Sequence, residues 1–311
     1  MKKDFLCLSD ISPQEGWEII ENAIRFKKGE KKSDILEGKN IGLLFSKPST
    51  RTRVSFEVGI NKLGGKAVYM TYSQLQISRG EDVRDTARTL SRYLDGIVVR
   101  TYAHAWLEEL AKFASVPVIN ALTDFSHPCQ ILADVQTVYE YFGDRTKDIK
   151  IAYVGDGNNV ANSLLVGAGL FGLKLYVATP SGYEPNAKAY KLGRELAEQT
   201  GGRIELTNDP VEAVRNASVV YTDVWVSMGD HDGENKIQFL KPFQVNEKLL
   251  SYAEPDVKVL HCLPAKKGQE ITEEVFEKHS EEIFNQAENR LWAQMALMDK
   301  LFGEFFGNSS P

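Results

Sequence analysis

Cysteine is scarce in this chain, long apolar runs are missing, and basic residues do not outnumber acidic ones. Each shortage removes a class of function. Three cysteines, Cys7, Cys129 and Cys262, form an odd set with neither zinc-ligand pairing nor disulfide-framework spacing, so a reducing compartment is expected. The apolar run from Leu164 to Leu173 is far shorter than the roughly 20 residues a membrane-spanning helix needs. Met1 to Cys7 turns polar again too soon for a signal peptide, so a cytoplasmic protein with no membrane partner is expected. A formal net charge of -6 leaves no basic footprint. The arginines are scattered rather than gathered on one helix face, which argues against nucleic acid as a partner. There is no His-Glu-x-x-His pattern and no Gly-x-x-x-x-Gly-Lys-Ser/Thr loop, so neither a zinc-hydrolase helix nor a P-loop is present.

What is present is an alternation of short apolar runs with helical stripes. Ile41 to Phe45 suits a buried strand, and Val54, Val58 and Leu63 then return at helical spacing. Strands are expected at 67–70, 97–99 and 118–119, with helices carried by Val83, Ala87, Leu90 and Leu94, by Trp106, Leu110 and Phe113, and by Ile131, Val135, Val138 and Phe142. The polar segment 71–80 reads as an exposed loop. From Ile149 the alternation restarts, with strands at 151–154, 173–177, 203–206, 219–221 and 257–260. Helices are expected over 160–171, 185–199 and 211–215. With 311 residues, two α/β domains are expected, each a mostly parallel sheet flanked by helices. A final stripe of Leu291, Met295, Met298, Phe302 and Phe305 reads as a packing helix.

Chemistry concentrates where strands end. Ser49, Thr50, Arg51, Thr52 and Arg53 follow the first strand and open a helix, so hydroxyls, guanidinium forks and free backbone N–H groups meet at one positive helix terminus. That is an anion cradle. The bland alternative is a capped helix with solvated arginines. Arg100, then His127 and Gln130, then Asn158 and Asn159, then Asp223, then His261 and Cys262 follow five further strands. Any one could be a satisfied loop group. Together they suggest a cleft that binds an anion in the first domain and a nitrogen- or carboxylate-bearing ligand in the second. Gly155-Asp156-Gly157-Asn158-Asn159-Val160 does not read as a dinucleotide site, because Val160 replaces the third glycine and the next strand ends without an acidic residue. His261 beside Cys262, and His127 beside Cys129, are weak pairs. Neighbouring strand side chains point to opposite faces, and a lone buried cysteine is the default.

In order, Ser49-Thr50-Arg51-Thr52-Arg53, His127-Pro128-Cys129-Gln130, Asp223-Val224-Trp225-Val226-Ser227-Met228-Gly229 and His261-Cys262-Leu263-Pro264 resemble the aspartate/ornithine carbamoyltransferase family. The Ser-Met-Gly loop resembles its ornithine branch. The likeness covers nearly the whole chain. It implies transfer of the carbamoyl group of carbamoyl phosphate to the δ-amine of L-ornithine, giving citrulline and phosphate, with no metal and no organic cofactor. It implies that Ser49, Thr50, Arg51 and Thr52 bind the phosphate, with Arg100, His127 and Gln130 around the carbamoyl group, Arg290 as another carbamoyl-phosphate contact and Gln76 reaching a neighbouring subunit's site. Asn159, Asp223, Ser227 and Met228 would hold the amino-acid end of ornithine. Cys262 and Leu263 would line the meeting point, Cys262 assisting deprotonation together with Asp223 rather than forming a covalent intermediate.

The resemblance further implies a homotrimer, or a multiple of one, with shared sites. The expected domains are 1–134, completed by a C-terminal helix 288–311 packing back on it, and 135–287. A carbamoyltransferase for another amine such as putrescine is the nearest rival reading, though Asp223 and the Ser-Met-Gly loop favour an amino acid. A non-catalytic subunit keeping the fold is the rival of another class, and the intact cradle speaks against it.

Overall fold

The computed structural model describes residues 2–226 and 233–307. Contacts divide the chain into two compact units, Met1–Gln136 with Asn289–Pro311, and Thr137–Glu288.

The first unit runs α1 (Pro13–Lys27), β1 (Asn40–Phe45), α2 (Arg51–Lys62), β2 (Lys66–Thr71), α3 (Val83–Tyr93), β3 (Gly96–Arg100), α4 (His104–Phe113), β4 (Val118–Leu122) and α5 (Pro128–Phe142), whose last turns belong to the second unit. The strands pair in the order β2-β1-β3-β4, all parallel. Every residue of β3 is buried, as expected for a parallel sheet covered on both faces. Leu44, Ile97, Val99, Leu107, Leu110 and Val118 form one core beneath α3 and α4. Segment 71–80 differs from the expected open loop. It winds into two 3₁₀ turns, Tyr72–Gln74 and Gln76–Arg79, because Ile77 buries itself in that same core.

The second unit continues with β5 (Lys150–Val154), α6 (Asn159–Phe171), β6 (Lys174–Ala178), α7 (Ala187–Thr200), β7 (Arg203–Thr207), α8 (Pro210–Val214), β8 (Val219–Thr222), α9 (Gly233–Leu240), α10 (Glu247–Leu250), β9 (Lys258–His261) and α11 (Glu273–Lys278). Its sheet is again parallel, in the order β7-β6-β5-β8-β9. Helices α6 and α7 touch backbone to backbone. A Cβ on Gly193 would lie 2.4 Å from the Leu165 carbonyl oxygen.

The last helix, α12 (Ser280–Gly307), begins in the second unit's range and ends in the first's. Within the first unit it packs as expected. Met295 and Met298 fill the space left by Gly59 of α2, and the Phe302 ring presses so closely on Gly96 of β3 that a Cβ there would sit 2.4 Å from it.

Candidate active site

In an open parallel sheet, ligands collect at the carboxyl ends of the two strands where the winding reverses. In the first unit those strands are β1 and β3, and in the second β5 and β8. Residues 49–53 and Arg100 fall at the first point and Asn158, Asn159 and Asp223 at the second, while His127 and Gln130 follow β4 and His261 and Cys262 lie at the end of β9.

After β1, the Ser46 amide donates to the Arg100 carbonyl at 2.8 Å, tying the cradle to the end of β3. Ser49 Oγ accepts the Thr52 amide at 3.3 Å, while Thr50, the N-cap by position, makes no side-chain cap bond. Ser49 therefore serves the bland and the functional readings together, since its hydroxyl can accept from the helix and still donate to an anion. At the end of β3 the pairing with β4 shifts, Val99 opposing Asn120 and Arg100 opposing Leu122, so the extra residue, Ala121, lies on β4.

Thr52 is the hub of a buried polar network. Its Oγ1 accepts from Arg100 Nη1 and from Arg290 Nη2, each at 3.2 Å. With both lone pairs taken, its own hydrogen is left to donate. Arg290 also donates from Nη1 to Gln130 Oε1 at 2.7 Å and from Nε to Gln294 Oε1 at 3.1 Å. Gln130 Nε2 donates to Asp134 Oδ1 at 2.8 Å, which fixes the amide's orientation. His127 directly precedes α5, with Pro128 at the first helical position. Burial, then the charges of Arg290, Arg100 and Arg51, push its pKa well below the usual imidazole value, so the ring is neutral at pH 7. Its neighbour Cys129 is fully buried and its thiol pKa is pushed up to about 12 by burial, an inert packing residue.

Two first-unit residues stand apart from this network. Gln76 lies on an exposed 3₁₀ turn and shares no hydrogen bond with the cluster. Lys47, which sequence reading passed over although it sits inside the cradle motif, rests its Nζ 3.9 Å from the centre of the Tyr102 ring. Burial and the nearby Arg100 charge lower its pKa.

In the second unit, Asp223 follows β8 and both its oxygens are engaged. Cys262 Sγ donates to Oδ1 at 2.9 Å, and Asn158 Nδ2 donates to Oδ2 at 2.8 Å. Asn158 Oδ1 also caps α6 by accepting from Val160 and Ala161. Of the two asparagines offered to a ligand, Asn158 is thus committed to the fold, while Asn159 opens α6. The preceding turn has no room for a pyrophosphate. The Gly157 amide donates to Tyr183 O at 3.0 Å, and a Cβ on Gly157 would lie 2.4 Å from the Tyr183–Pro185 backbone.

Both ring nitrogens of His261 are engaged by groups other than the thiol. Its Nε2 meets buried Glu270 Oε1 at 2.9 Å, and its Nδ1 accepts the Leu263 amide at 2.9 Å, so the proton resides on Nε2. Leu263 takes a left-handed φ of 58°. Asp223, His261 and Cys262 offer ligand atoms within 4.8 Å of one another, but a metal would have to displace one of these His261 bonds. Ser227 and Met228 lie outside the described residues. No helix among the described residues is long and apolar enough to cross a membrane.

Comparison with known proteins adds independent findings. The family model "Aspartate/ornithine carbamoyltransferase, carbamoyl-P binding domain" matches residues 3–140, and "Aspartate/ornithine carbamoyltransferase, Asp/Orn binding domain" matches residues 147–301. The chain is 64% identical over 306 residues to the ornithine carbamoyltransferase of Aquifex aeolicus, covering 98% of this chain and 99% of that one. It is 50% identical over 305 residues to the anabolic ornithine carbamoyltransferase of Pyrococcus furiosus, covering 97% and 96%. Among solved structures, the anabolic ornithine carbamoyltransferase from Campylobacter jejuni superposes with a TM-score of 0.93 at 39% identity, covering 98% of this chain and 100% of that one. The Pyrococcus furiosus enzyme gives 0.89 at 50% identity, covering 96% of each.

Proposed function

The chain belongs to the aspartate/ornithine carbamoyltransferase family, and from that premise we propose a division of labour for its residues. The reaction is transfer of the carbamoyl group from carbamoyl phosphate to the δ-amine of L-ornithine, releasing citrulline and phosphate. We assign the phosphate to Ser49, Thr50, Arg51 and Thr52, and the carbamoyl group to Arg100, His127, Gln130 and Arg290. The observation that carries this is the convergence of two guanidinium groups on the Thr52 hydroxyl. It holds a donor ready for the oxygen that gains charge in the tetrahedral intermediate, with the neighbouring guanidinium charges and neutral His127 beside it. Preorganised donors of this kind are worth about 3–4 kcal/mol each when removed.

The amino-acid end of ornithine falls to Asn159, Asp223, Ser227 and Met228. A free alkylammonium has a pKa of roughly 10.4, so the attacking δ-amine must lose a proton first. Cys262 and Asp223, joined through a thiol hydrogen bond, form the relay that receives it, with Leu263 alongside. No bond to sulfur forms. The working assembly is a homotrimer or a multiple of one, in which exposed Gln76 serves a neighbour, and the compartment is the cytoplasm. Sedimentation of fully active monomer would contradict the assembly.

Initial-rate kinetics test the assignment. Thr52→Val should raise KM for carbamoyl phosphate and lower kcat, and Asn159→Ala should raise KM for ornithine while sparing that for carbamoyl phosphate. Unchanged citrulline formation in both variants would overturn it.

A further inference from the structure

A second cationic cavity lies in the first unit, where the carboxyl end of α1 meets the following turn and one face of α12. It measures about 720 Å³, a size that accommodates a metabolite. Its lining includes Lys27, Lys28, Lys31, Lys32 and Lys62, against a single acidic residue, Asp34. For a chain of net charge -6, that is a marked local excess of positive charge.

Helix chemistry explains part of the excess. Lys27 complements the negative end of the α1 dipole, and Lys31 pairs with Asp299 at 2.7 Å. It does not explain the rest. Lys28, Lys32 and Lys62 meet no carboxylate among the described residues. Lys27 is held at 2.8 Å by Asn289 Oδ1, a neutral and fully buried acceptor that Gln136 Nε2 also contacts at 3.1 Å, which fixes the position of the ammonium at the cavity wall. The lining of the cavity is aromatic as well. Half-buried Trp292 lines it, with Lys62 Nζ 5.5 Å from its ring centre, and Phe26 lines it under Lys31 at 5.2 Å.

We propose that this cavity binds a phosphorylated aromatic metabolite of the nucleoside polyphosphate class, its ring on Trp292 and its phosphates among Lys28, Lys32 and Lys62, with Lys27 at their edge. A planar indole flanked by the Lys28, Lys32 and Lys62 ammonium groups recognises that combination, whereas phosphate alone would leave the ring face unused. The site is separate in sequence and contacts from the cradle at Ser49 to Thr52.

Calorimetric titration of the whole chain with ATP, and separately with inorganic tripolyphosphate, tests it. The titrations are run on the wild type and on Arg100→Leu, whose cradle is impaired. Saturable ATP binding of equal strength in both is expected. Lys28→Glu with Lys32→Glu, both at solvent-accessible positions, should weaken it by about tenfold or more. Trp292→Leu should weaken ATP and leave tripolyphosphate unchanged. The proposal falls if ATP does not bind, if binding disappears with Arg100→Leu, if the double lysine variant binds as the wild type does, or if tripolyphosphate binds as tightly as ATP.

Discussion

His127 shows how one buried side chain sets a pH limit. Burial and three arginines keep its ring neutral in the folded chain at a pH where the unfolded chain protonates it. Its part of the stability is therefore intact above about pH 6.5 and declines as the solution becomes more acid, by up to about 1.4 kcal/mol per pH unit. Urea unfolding between pH 7 and pH 5.5 should show a steeper loss for the wild type than for His127→Asn, and equal slopes would contradict the account. The thiols divide in the same way. Cys129 is fully buried and pushed up to about 12, while Cys262 is only half-buried. Iodoacetamide at neutral pH should label Cys262 in the native chain and reach Cys129 only after unfolding, read by peptide mass. Replacing Cys262 with Ala should lower kcat by about 10² or more by removing one half of the relay, with ornithine turnover more nearly restored as pH approaches the amine's own pKa. A variant at wild-type rate would remove Cys262 from the mechanism.

Elements were the most legible level, because a parallel sheet demands buried apolar strands and its crossovers demand amphipathic helices. All nine strands among the described residues lie where apolar runs predict them. The misses have local causes, and helix α1 is the exception, since its capping box of Ser12 and Glu15 and its uncharged buried face of Ile19, Ile20, Ala23 and Phe26 are both legible in the sequence. Helices α9 to α11 are too short for periodicity to register, and segment 71–80 hides one buried anchor, Ile77, in polar surroundings. The extra β4 residue, Ala121, opposite the end of β3 has no signal in a single sequence. Close helix contact is equally silent until both partners are seen. Gly193→Ala should cost about 1–3 kcal/mol, since its Cβ would meet a backbone oxygen that cannot swing aside. A thermal melt within a degree of the wild type would show that α6 and α7 can separate freely.

For the whole molecule, restarting alternation near Ile149 marks two α/β units, but their edges fall inside α5 and α12, where a helical stripe gives no notice of a boundary. Arg290 illustrates the consequence. It lies far along the chain from Thr52 and Gln130, so its place in the cradle followed only from the family resemblance until the hydrogen bonds were in view. The Asp223 contact with Cys262 was likewise anticipated as a coupling, whereas the Asn158 and Glu270 bonds that hold Asp223 and His261 in place were not. The central claim is a carbamoyl-phosphate site joined functionally to a site for an α-amino acid. It is tested most directly by measuring carbamoylated product from carbamoyl phosphate with ornithine, putrescine, aspartate and N-acetylornithine at equal concentration. Strong preference for ornithine, with citrulline as product, is the predicted result; equal or greater turnover of another amine, or none of any, would contradict it.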